Sequence, residues 1–182
     1  ENFNNRSVIY VPCDFDINLF SQTSYSQMKT FIEYISMEEI DAIFPVSQPF
    51  YYDIFALRSK GWVDYNAVFF AHRLKKFFKI GSFIWNYLYI FRYQKSINKI
   101  NNKPIKVTSA FGGIGIYDLS KIDINTSRYM VDSENTDWFS EHLYFNSYFN
   151  NLEIRTDWVI DAPNQHIEFK SFSIIHKFLY IL

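Results

Sequence analysis

The chain has 182 residues, of which 48% are hydrophobic, 21% aromatic and 20% charged, and its formal net charge is −1. This length suits one globular domain, and so apolar a composition with only five glycines and five prolines excludes disordered and collagen-like proteins. The single cysteine, Cys13, excludes an intrachain disulfide and a cysteine zinc site, so any metal ion must be bound by oxygen or imidazole ligands.

The first predicted elements are a strand, a helix and a second strand. Residues 7–12 have the β-branched and aromatic side chains typical of a buried strand, and they run directly into Asp14 and Asp16. Residues 25–35 space their apolar side chains as in an amphipathic helix, and residues 41–46 predict the next short strand. Two carboxylates at the end of a strand suit Mg²⁺ or Mn²⁺, which prefer oxygen ligands. The alternative is a pair of solvated or turn-capping acids.

The middle of the chain is strongly basic. Between Asp64 and Asp118 lie nine of the 18 lysine and arginine residues and none of the 19 acidic ones, so this segment carries +9 and the remainder −10. Residues 68–80 predict a basic amphipathic helix, and a second helical pattern follows Gly81. The apolar side chains predicted to face inward are Phe70, Leu74, Phe77 and Phe78 in the first and Ile84, Tyr87, Leu88 and Phe91 in the second.

The basic middle indicates an anionic partner. One interpretation is peripheral association with a membrane through the basic helices of residues 68–100. The other is a solvated helix whose charge is balanced by the acidic ends of the chain. No signal peptide and no transmembrane segment is visible, so we expect a cytoplasmic or membrane-peripheral location.

The last part of the chain continues the alternation of strands and helices. Residues 105–109 predict a strand that ends in a glycine-rich turn, residues 114–117 continue in extended conformation, residues 136–149 predict a helix, and residues 152–160 a final strand. No internal repeat and no linker is visible. We therefore predict a single α/β domain over residues 1–182, with a mixed sheet flanked by helices.

Five blocks occur in order along the chain: VIYVPCDFDINLF, DAIFPVSQPFYYDIFALRSKGW, VTSAFGGIGIYD, SEHLYFN and VIDAPNQHIEF. Together they resemble the capsule-type glycosyltransferases similar to cryptococcal α-1,3-mannosyltransferase, over residues 7–168. The resemblance implies a GT-A-like, Rossmann-like enzyme of polysaccharide biosynthesis. Such an enzyme moves a hexose from a nucleotide-diphospho-sugar donor to a glycan acceptor, and no nucleic acid is implied as a partner. The chain departs from the family pattern at Ser140, where relatives usually have cysteine.

The resemblance also assigns the metal and the proton transfer. Asp14 and Asp16 are the D-x-D pair that holds Mn²⁺ or Mg²⁺ against the donor diphosphate, and His166 is implied as a further metal ligand. Glu141 and His142 are the implied catalytic residues, with Glu141 as the base that takes the proton of the attacking acceptor hydroxyl. The alternative is a glutamate on a helix surface beside a buried histidine.

Donor binding is implied for two further blocks. Their residues are Asp53, Arg58, Ser109, Phe111, Gly112 and Gly113. The guanidinium of Arg58 suits phosphate or sugar hydroxyls, with an ion pair to Asp53 on the surface as the alternative. The paired glycines let the backbone approach a bound sugar closely, whereas the simpler interpretation is a plain strand-to-turn transition.

A GT-A fold places a nucleotide-binding βαβ unit before its D-x-D pair, whereas only thirteen residues precede Asp14 here. We therefore expect a sheet that lacks this unit, in a chain trimmed at its N-terminus. We also expect Asp14 and Asp16 to follow a central strand and to face a cleft shared with residues 109–113. Two other functions remain: a metal-dependent phosphodiesterase or nuclease, which would need further acids near the same metal, and a non-catalytic carbohydrate- or membrane-binding module.

Overall fold

The structure is a computed structural model that describes residues 8–17, 25–48, 50–77, 82–94, 103–128 and 140–162. Its strands are β1 Ile9–Tyr10, β2 Ala42–Gln48, β3 Ile105–Val107, β4 Ile116–Asp118 and β5 Leu152–Asp161. Its helices are α1 Tyr25–Met37, α2 Ala67–Phe77, α3 Ser82–Asn86, α4 Arg92–Gln94 and α5 Glu141–Asn146. A π-helical segment, Tyr87–Phe91, joins α3 to α4, and a 3₁₀ turn, Leu119–Lys121, follows β4. The predicted mixed α/β architecture is confirmed for the described residues.

The five strands form one mixed sheet in the order β1-β4-β2-β5-β3. β2 pairs with β5 in parallel, and the other described pairings are antiparallel. β2 lies at the centre of the sheet, and its residues from Ala42 to Ser47 are buried, as expected of a strand covered on both faces. Because β2 and β5 are parallel, their carboxyl ends meet at one edge, where Gln48 pairs with Asp161.

The sheet separates two apolar cores. On one face Phe44 of β2 packs with Tyr117 and Ile154, and on the other Ile43 packs with Trp158 and the apolar side of α1. A shift in register between Pro45 and Val46 leaves residues 156–158 of β5 without partners on β2, so the even-numbered side chains of β5 change faces there. The interruption falls where β2 has a proline, which has no N–H to donate to a neighbouring strand.

The first strand differs from its prediction. Residues 7–12 were expected to form a buried strand, yet β1 has two residues, lies at the edge of the sheet and pairs with β4. Val8, Tyr10 and Val11 are exposed, because an edge strand is covered less completely than a central one. The prediction that Asp14 and Asp16 follow a central strand is therefore wrong, and the centre of the sheet is occupied by β2 instead.

α2 and the helical run of residues 82–94 contact each other and form what we call the helical pair. Their predicted inner face is wrong in part, since Phe70, Phe77, Ile84 and Leu88 are exposed, whereas the small Ala67 and Ala71 and the ring of Phe91 are buried. Small side chains let α2 approach the core closely, and the π-helical segment changes the helical period. Phe78 lies outside the described residues. No described helix is long and apolar enough to cross a bilayer.

Candidate functional site

The chain turns sharply where β2 ends, and this turn presents Tyr52 and Asp53. The Ser47 hydroxyl donates a hydrogen bond to the Phe50 carbonyl at 3.1 Å and accepts one from the Tyr52 N–H at 3.1 Å. The Asp53 carboxylate accepts a hydrogen bond from the Ala56 N–H at 3.2 Å, which closes the next turn. Polar side chains therefore hold this loop at the carboxyl end of the central strand, where ligands bind in open α/β sheets.

The structure places Asp14 directly against the turn formed by Gly112 and Gly113, which we call the glycine turn. The Asp14 N–H donates to the Gly113 carbonyl at 2.8 Å, and the Tyr52 hydroxyl donates to Asp14 Oδ2 at 3.3 Å. Gly113 has φ 88°, and a β-carbon added there would overlap Ile17 and the Tyr52 hydroxyl. Only glycine fits this position, because it needs both a positive φ and the empty space that a side chain would fill.

Gly112 serves the same turn from the other side. It has φ 82°, and a β-carbon there would lie 3.1 Å from the Pro45 carbonyl oxygen of β2. The glycine turn is thus pressed against the central strand through Gly112 and against the Asp14 loop through Gly113. This close approach of three backbone segments explains the paired glycines without a bound sugar, and it fixes the position of Asp14 relative to the sheet.

Three carboxylates that are distant in sequence share one electrostatic environment. Burial raises the pKa of Asp53 to about 7, and the negative charges of Asp14 and Glu141 add to this effect. The Ala56 N–H and the positive charge of Arg58 act in the opposite direction but do not cancel it. The Asp53 carboxyl is therefore protonated in about half of the molecules at pH 7, and a cation at this place would favour its ionised form.

Arg58 joins the loop after β2 to the strand that leads into the glycine turn. Its N–H donates to the Ser109 carbonyl at 2.8 Å, and its guanidinium Nη1 donates to the carbonyls of Phe55 at 3.0 Å and Leu57 at 2.6 Å. Burial lowers the pKa of Arg58, and the charge of Asp53 opposes this shift. Arg58 and Asp53, both described, form no ion pair within 4.0 Å, so the surface ion pair considered from the sequence is not the arrangement found.

Helix α5 brings Glu141 and His142 to the same region. Ser140 caps the helix, accepting a hydrogen bond from the His142 N–H at 3.3 Å. The His142 ring stacks on Phe111 with 3.7 Å between ring centroids, and burial lowers the pKa of His142 to about 4 although the Glu141 charge opposes this. His142 is therefore neutral at pH 7. Glu141 Oε1 lies 3.7 Å from His142 Nε2, and 45% of the Glu141 side chain is exposed.

Asn146 connects these pieces, and sequence analysis did not assign it a role. Its side-chain amide is fully buried, donating to Ser109 Oγ at 2.9 Å and to the Ala110 carbonyl at 2.8 Å. Its oxygen accepts a hydrogen bond from the Tyr117 hydroxyl at 3.0 Å. α5 is thus fixed to residues 109–110, which precede the glycine turn, and to β4, which follows it. The signal was present in the sequence as a polar residue at an inward position of an otherwise apolar helical pattern.

The residues predicted to hold a metal are only partly brought together. Asp16 is exposed, and its charge and that of Asp14 both add to the burial that raises the pKa of Cys13. His166 lies outside the described residues. Among the residues that the structure describes, no group of three or more His, Cys, Asp or Glu side chains is placed to hold a metal ion. Two carboxylates still fit Mg²⁺ or Mn²⁺, which commonly bind through one or two carboxylates and the phosphates of a substrate.

Comparison with known proteins found no match. No protein-family model matches the chain, and neither a curated protein nor a solved structure matches it. The assignment of a function therefore depends on the sequence blocks and on the geometry that joins them.

Proposed function

We propose that the chain is a metal-dependent glycosyltransferase of GT-A type that transfers a hexose from a nucleotide-diphospho-sugar to a glycan acceptor. The observation that supports it best is that separate sequence blocks of the resemblance contact one another in the folded chain. The contacts are Asp14 with Gly113, Arg58 with Ser109, and the ring of Phe111 with that of His142. The Tyr52 hydroxyl also joins the second block to the carboxylate of Asp14.

In this proposal the chain's own residues hold the donor. Asp14 and Asp16 hold Mn²⁺ or Mg²⁺, and the bound metal would stabilise the negative charge that develops on the departing nucleoside diphosphate. Tyr52 orients the carboxylate of Asp14 through its hydroxyl. Arg58 supplies a fixed, partly buried positive charge beside the acids. The glycine turn fixes the position of Asp14 relative to the sheet.

Glu141 is the proposed base of an inverting transfer. The acceptor oxygen attacks the anomeric carbon, the bond from that carbon to the diphosphate oxygen breaks, and the hydroxyl proton passes to the Glu141 carboxylate. The partial exposure of Glu141 keeps its carboxylate accessible to an acceptor. His142 is a positioning residue, since its neutral ring is buried against Phe111 and holds the first turn of α5 against the glycine turn.

A second candidate, a metal-dependent phosphodiesterase or nuclease, gains support from one observation. It needs more acids than Asp14 and Asp16 near its metal, and Asp53 lies close enough to Asp14 and Glu141 for their charges to raise its pKa. The glycosyltransferase is preferred because the second candidate gives no reason for the SEHLYFN and YYDIFALR blocks of the resemblance.

An assay of nucleoside diphosphate release tests the proposal. The chain is incubated with Mn²⁺ and a panel of nucleotide sugars, with and without oligosaccharide acceptors, and bis(p-nitrophenyl) phosphate serves as the phosphodiesterase substrate. We expect release from a nucleotide sugar, and Glu141→Gln should lower turnover by about 100-fold without changing Mn²⁺ binding. Glu38→Gln, an exposed glutamate elsewhere, is the matched control.

Two results would contradict this assignment. Hydrolysis of the phosphodiester with inert nucleotide sugars would favour the second candidate. Unchanged turnover in Glu141→Gln would remove Glu141 as the base, while transfer by the wild-type chain would still support the enzyme class.

A further inference from the structure

The helical pair exposes large apolar side chains on its outer surface. Phe70 is 43% exposed and Phe77 72%, and on the second helix Ile84 is 55% and Leu88 37% exposed. Phe70 and Phe77 are seven residues apart and therefore lie on the same side of α2, two turns from each other. Ile84 and Leu88 are four residues apart on the neighbouring helix. We call these four side chains the apolar surface of the pair.

The lysine and arginine side chains of the same helices have no acidic side chains among them. Residues 67–94 contain no aspartate or glutamate, and Arg73, Lys76 and Arg92 are exposed there. Lys75 and Lys76 lie in the last turn of α2, the turn that ends with Phe77. Exposed apolar side chains and positive charge therefore occur on the same two helices, and no acidic side chain of these helices reduces the charge.

Aromatic contacts hold the pair together, and among the four residues of the apolar surface Phe70 takes part in them. The ring of Tyr65 contacts Phe70, Tyr89 and Tyr93 edge to face, with centroid distances of 5.4 to 6.3 Å, and Phe70 stacks with Tyr89. Ala67 belongs to the core that contains Phe44, and Val68, Ile90 and Tyr93 pack against this core. Packing of the pair thus leaves the ring of Phe77 and the side chains of Ile84 and Leu88 available for an external partner.

We propose that the helical pair docks on an anionic membrane surface. Its apolar surface would enter the boundary between headgroups and acyl chains, while its lysine and arginine side chains contact lipid phosphates. The charge is complementary to anionic lipid, and the aliphatic Ile84 and Leu88 favour lipid over a nucleic acid, whose bases stack on aromatic rings rather than on aliphatic chains. This inference is independent of the proposed enzymatic function.

Vesicle co-sedimentation of the full chain tests the inference. Phosphatidylcholine vesicles that contain phosphatidylserine are compared with pure phosphatidylcholine vesicles over a series of salt concentrations. We expect binding to the anionic vesicles only, with an affinity that falls as salt rises, because exposed charges are screened. Lys75→Gln/Lys76→Gln and Phe70→Ser/Phe77→Ser should each weaken binding by about tenfold.

Matched controls separate the helical pair from the rest of the surface. Lys29→Gln/Lys121→Gln removes two lysines elsewhere, and Met37→Ser/Ile124→Ser removes two exposed apolar side chains elsewhere. Both should bind as the wild-type chain does. The salt series on the wild-type chain alone remains decisive if a variant fails to fold.

Three results would overturn the inference. The first is equal binding to anionic and neutral vesicles. The second is salt-sensitive binding to single-stranded RNA without binding to vesicles, which would assign the surface to nucleic acid. The third is a dimer in the absence of lipid that Phe70→Ser/Phe77→Ser abolishes, since it would assign the surface to a second copy of the chain.

Discussion

The region of the glycine turn and the helical pair differ in which kinds of side chain they bury and expose. Beside the glycine turn, polar groups are buried and hydrogen bonded, as Asn146 is to Ser109 and Tyr117. On the helical pair, large apolar groups such as Phe77 and Ile84 are exposed. Burying a polar group costs free energy unless it is paired, and exposing an apolar one forfeits the gain of burial. The paired polar groups beside the glycine turn therefore fix the position of α5, whereas the exposed apolar groups of the helical pair mark a candidate docking surface.

The comparison is tested most strongly at the glycine turn. Gly113→Ala should lower the free energy of unfolding by about 4 kcal/mol, because the added methyl group meets both a positive φ and occupied space. Gly61→Ala is the matched control, since Gly61 has φ 83° but nothing within 4 Å of an added β-carbon. It should cost about 1 kcal/mol. Equal losses in urea unfolding would show that the glycine turn is not tightly packed.

The buried polar contacts should show the next largest effect. Asn146→Ala leaves the Tyr117 hydroxyl and the Ser109 hydroxyl without their buried partner, so we expect a loss of about 3 kcal/mol in urea unfolding. Asn125→Ala removes an exposed asparagine and should change stability by less than about 0.5 kcal/mol. If Asn146→Ala were as mild as its control, the polar contacts would not hold α5 to the sheet.

The stability of the site should depend on pH through His142. Its folded pKa of about 4 lies below the ordinary value of 6.5, so acid protonates the unfolded chain first. His142 should contribute a loss of about 2 kcal/mol between pH 7 and pH 5, whereas Asp53, whose pKa is raised, contributes a gain of similar size over the same range. His142→Gln should therefore be more stable at pH 5 relative to pH 7 than the wild-type chain by about 2 kcal/mol, and His72→Gln, on the helical pair, should respond to pH as the wild-type chain does. Urea unfolding at both pH values measures this, and an identical pH response in His142→Gln and wild type would contradict the burial of the ring.

The helical pair should give the smallest effect on stability. Phe77→Ser should change the free energy of unfolding by less than about 0.5 kcal/mol, because Phe77 is 72% exposed. Phe44→Ser, which removes a fully buried ring from the central strand, should lower the free energy of unfolding by about 4 kcal/mol. Thermal unfolding followed by circular dichroism compares the two. A large loss in Phe77→Ser would mean that this ring is buried in solution.

The periodicity of the apolar residues predicted the positions of the helices and strands better than it predicted which of their side chains are buried. The helix of residues 25–35 and the strands of residues 41–46 and 152–160 are confirmed as α1, β2 and β5. A helical period shows which side chains share a face of α2, but not that Ala67 and Ala71 would turn inward in place of Phe70 and Phe77. Strand order depends on pairing between distant segments, so the edge position of β1 could not be read from its own residues.

The site shows the same division between local pattern and distant contact. The acids, the glycine pair and the EH dipeptide were recognised from their own blocks. The sequence could not predict the contact of Asp14 with Tyr52 and Gly113. It also could not predict that the charges of Asp14 and Glu141 raise the pKa of Asp53. The contacts of Asp14 depend on the pairing of β1 and β2 with β4, the strand that follows the glycine turn. The role of His166 stays a prediction.

The central claim is that Asp14 and Asp16 hold a divalent ion together with the diphosphate of a donor. Calorimetric titration of Mn²⁺ into the chain, alone and with UDP or GDP, tests it most directly. We predict that a nucleoside diphosphate strengthens Mn²⁺ binding by about tenfold, because its phosphates complete the coordination of the ion. Asp14→Asn should abolish this gain, whereas Asp123→Asn, at an exposed turn, should keep it. Mn²⁺ binding that is the same with and without nucleotide, or that is unaffected by Asp14→Asn, would contradict the account.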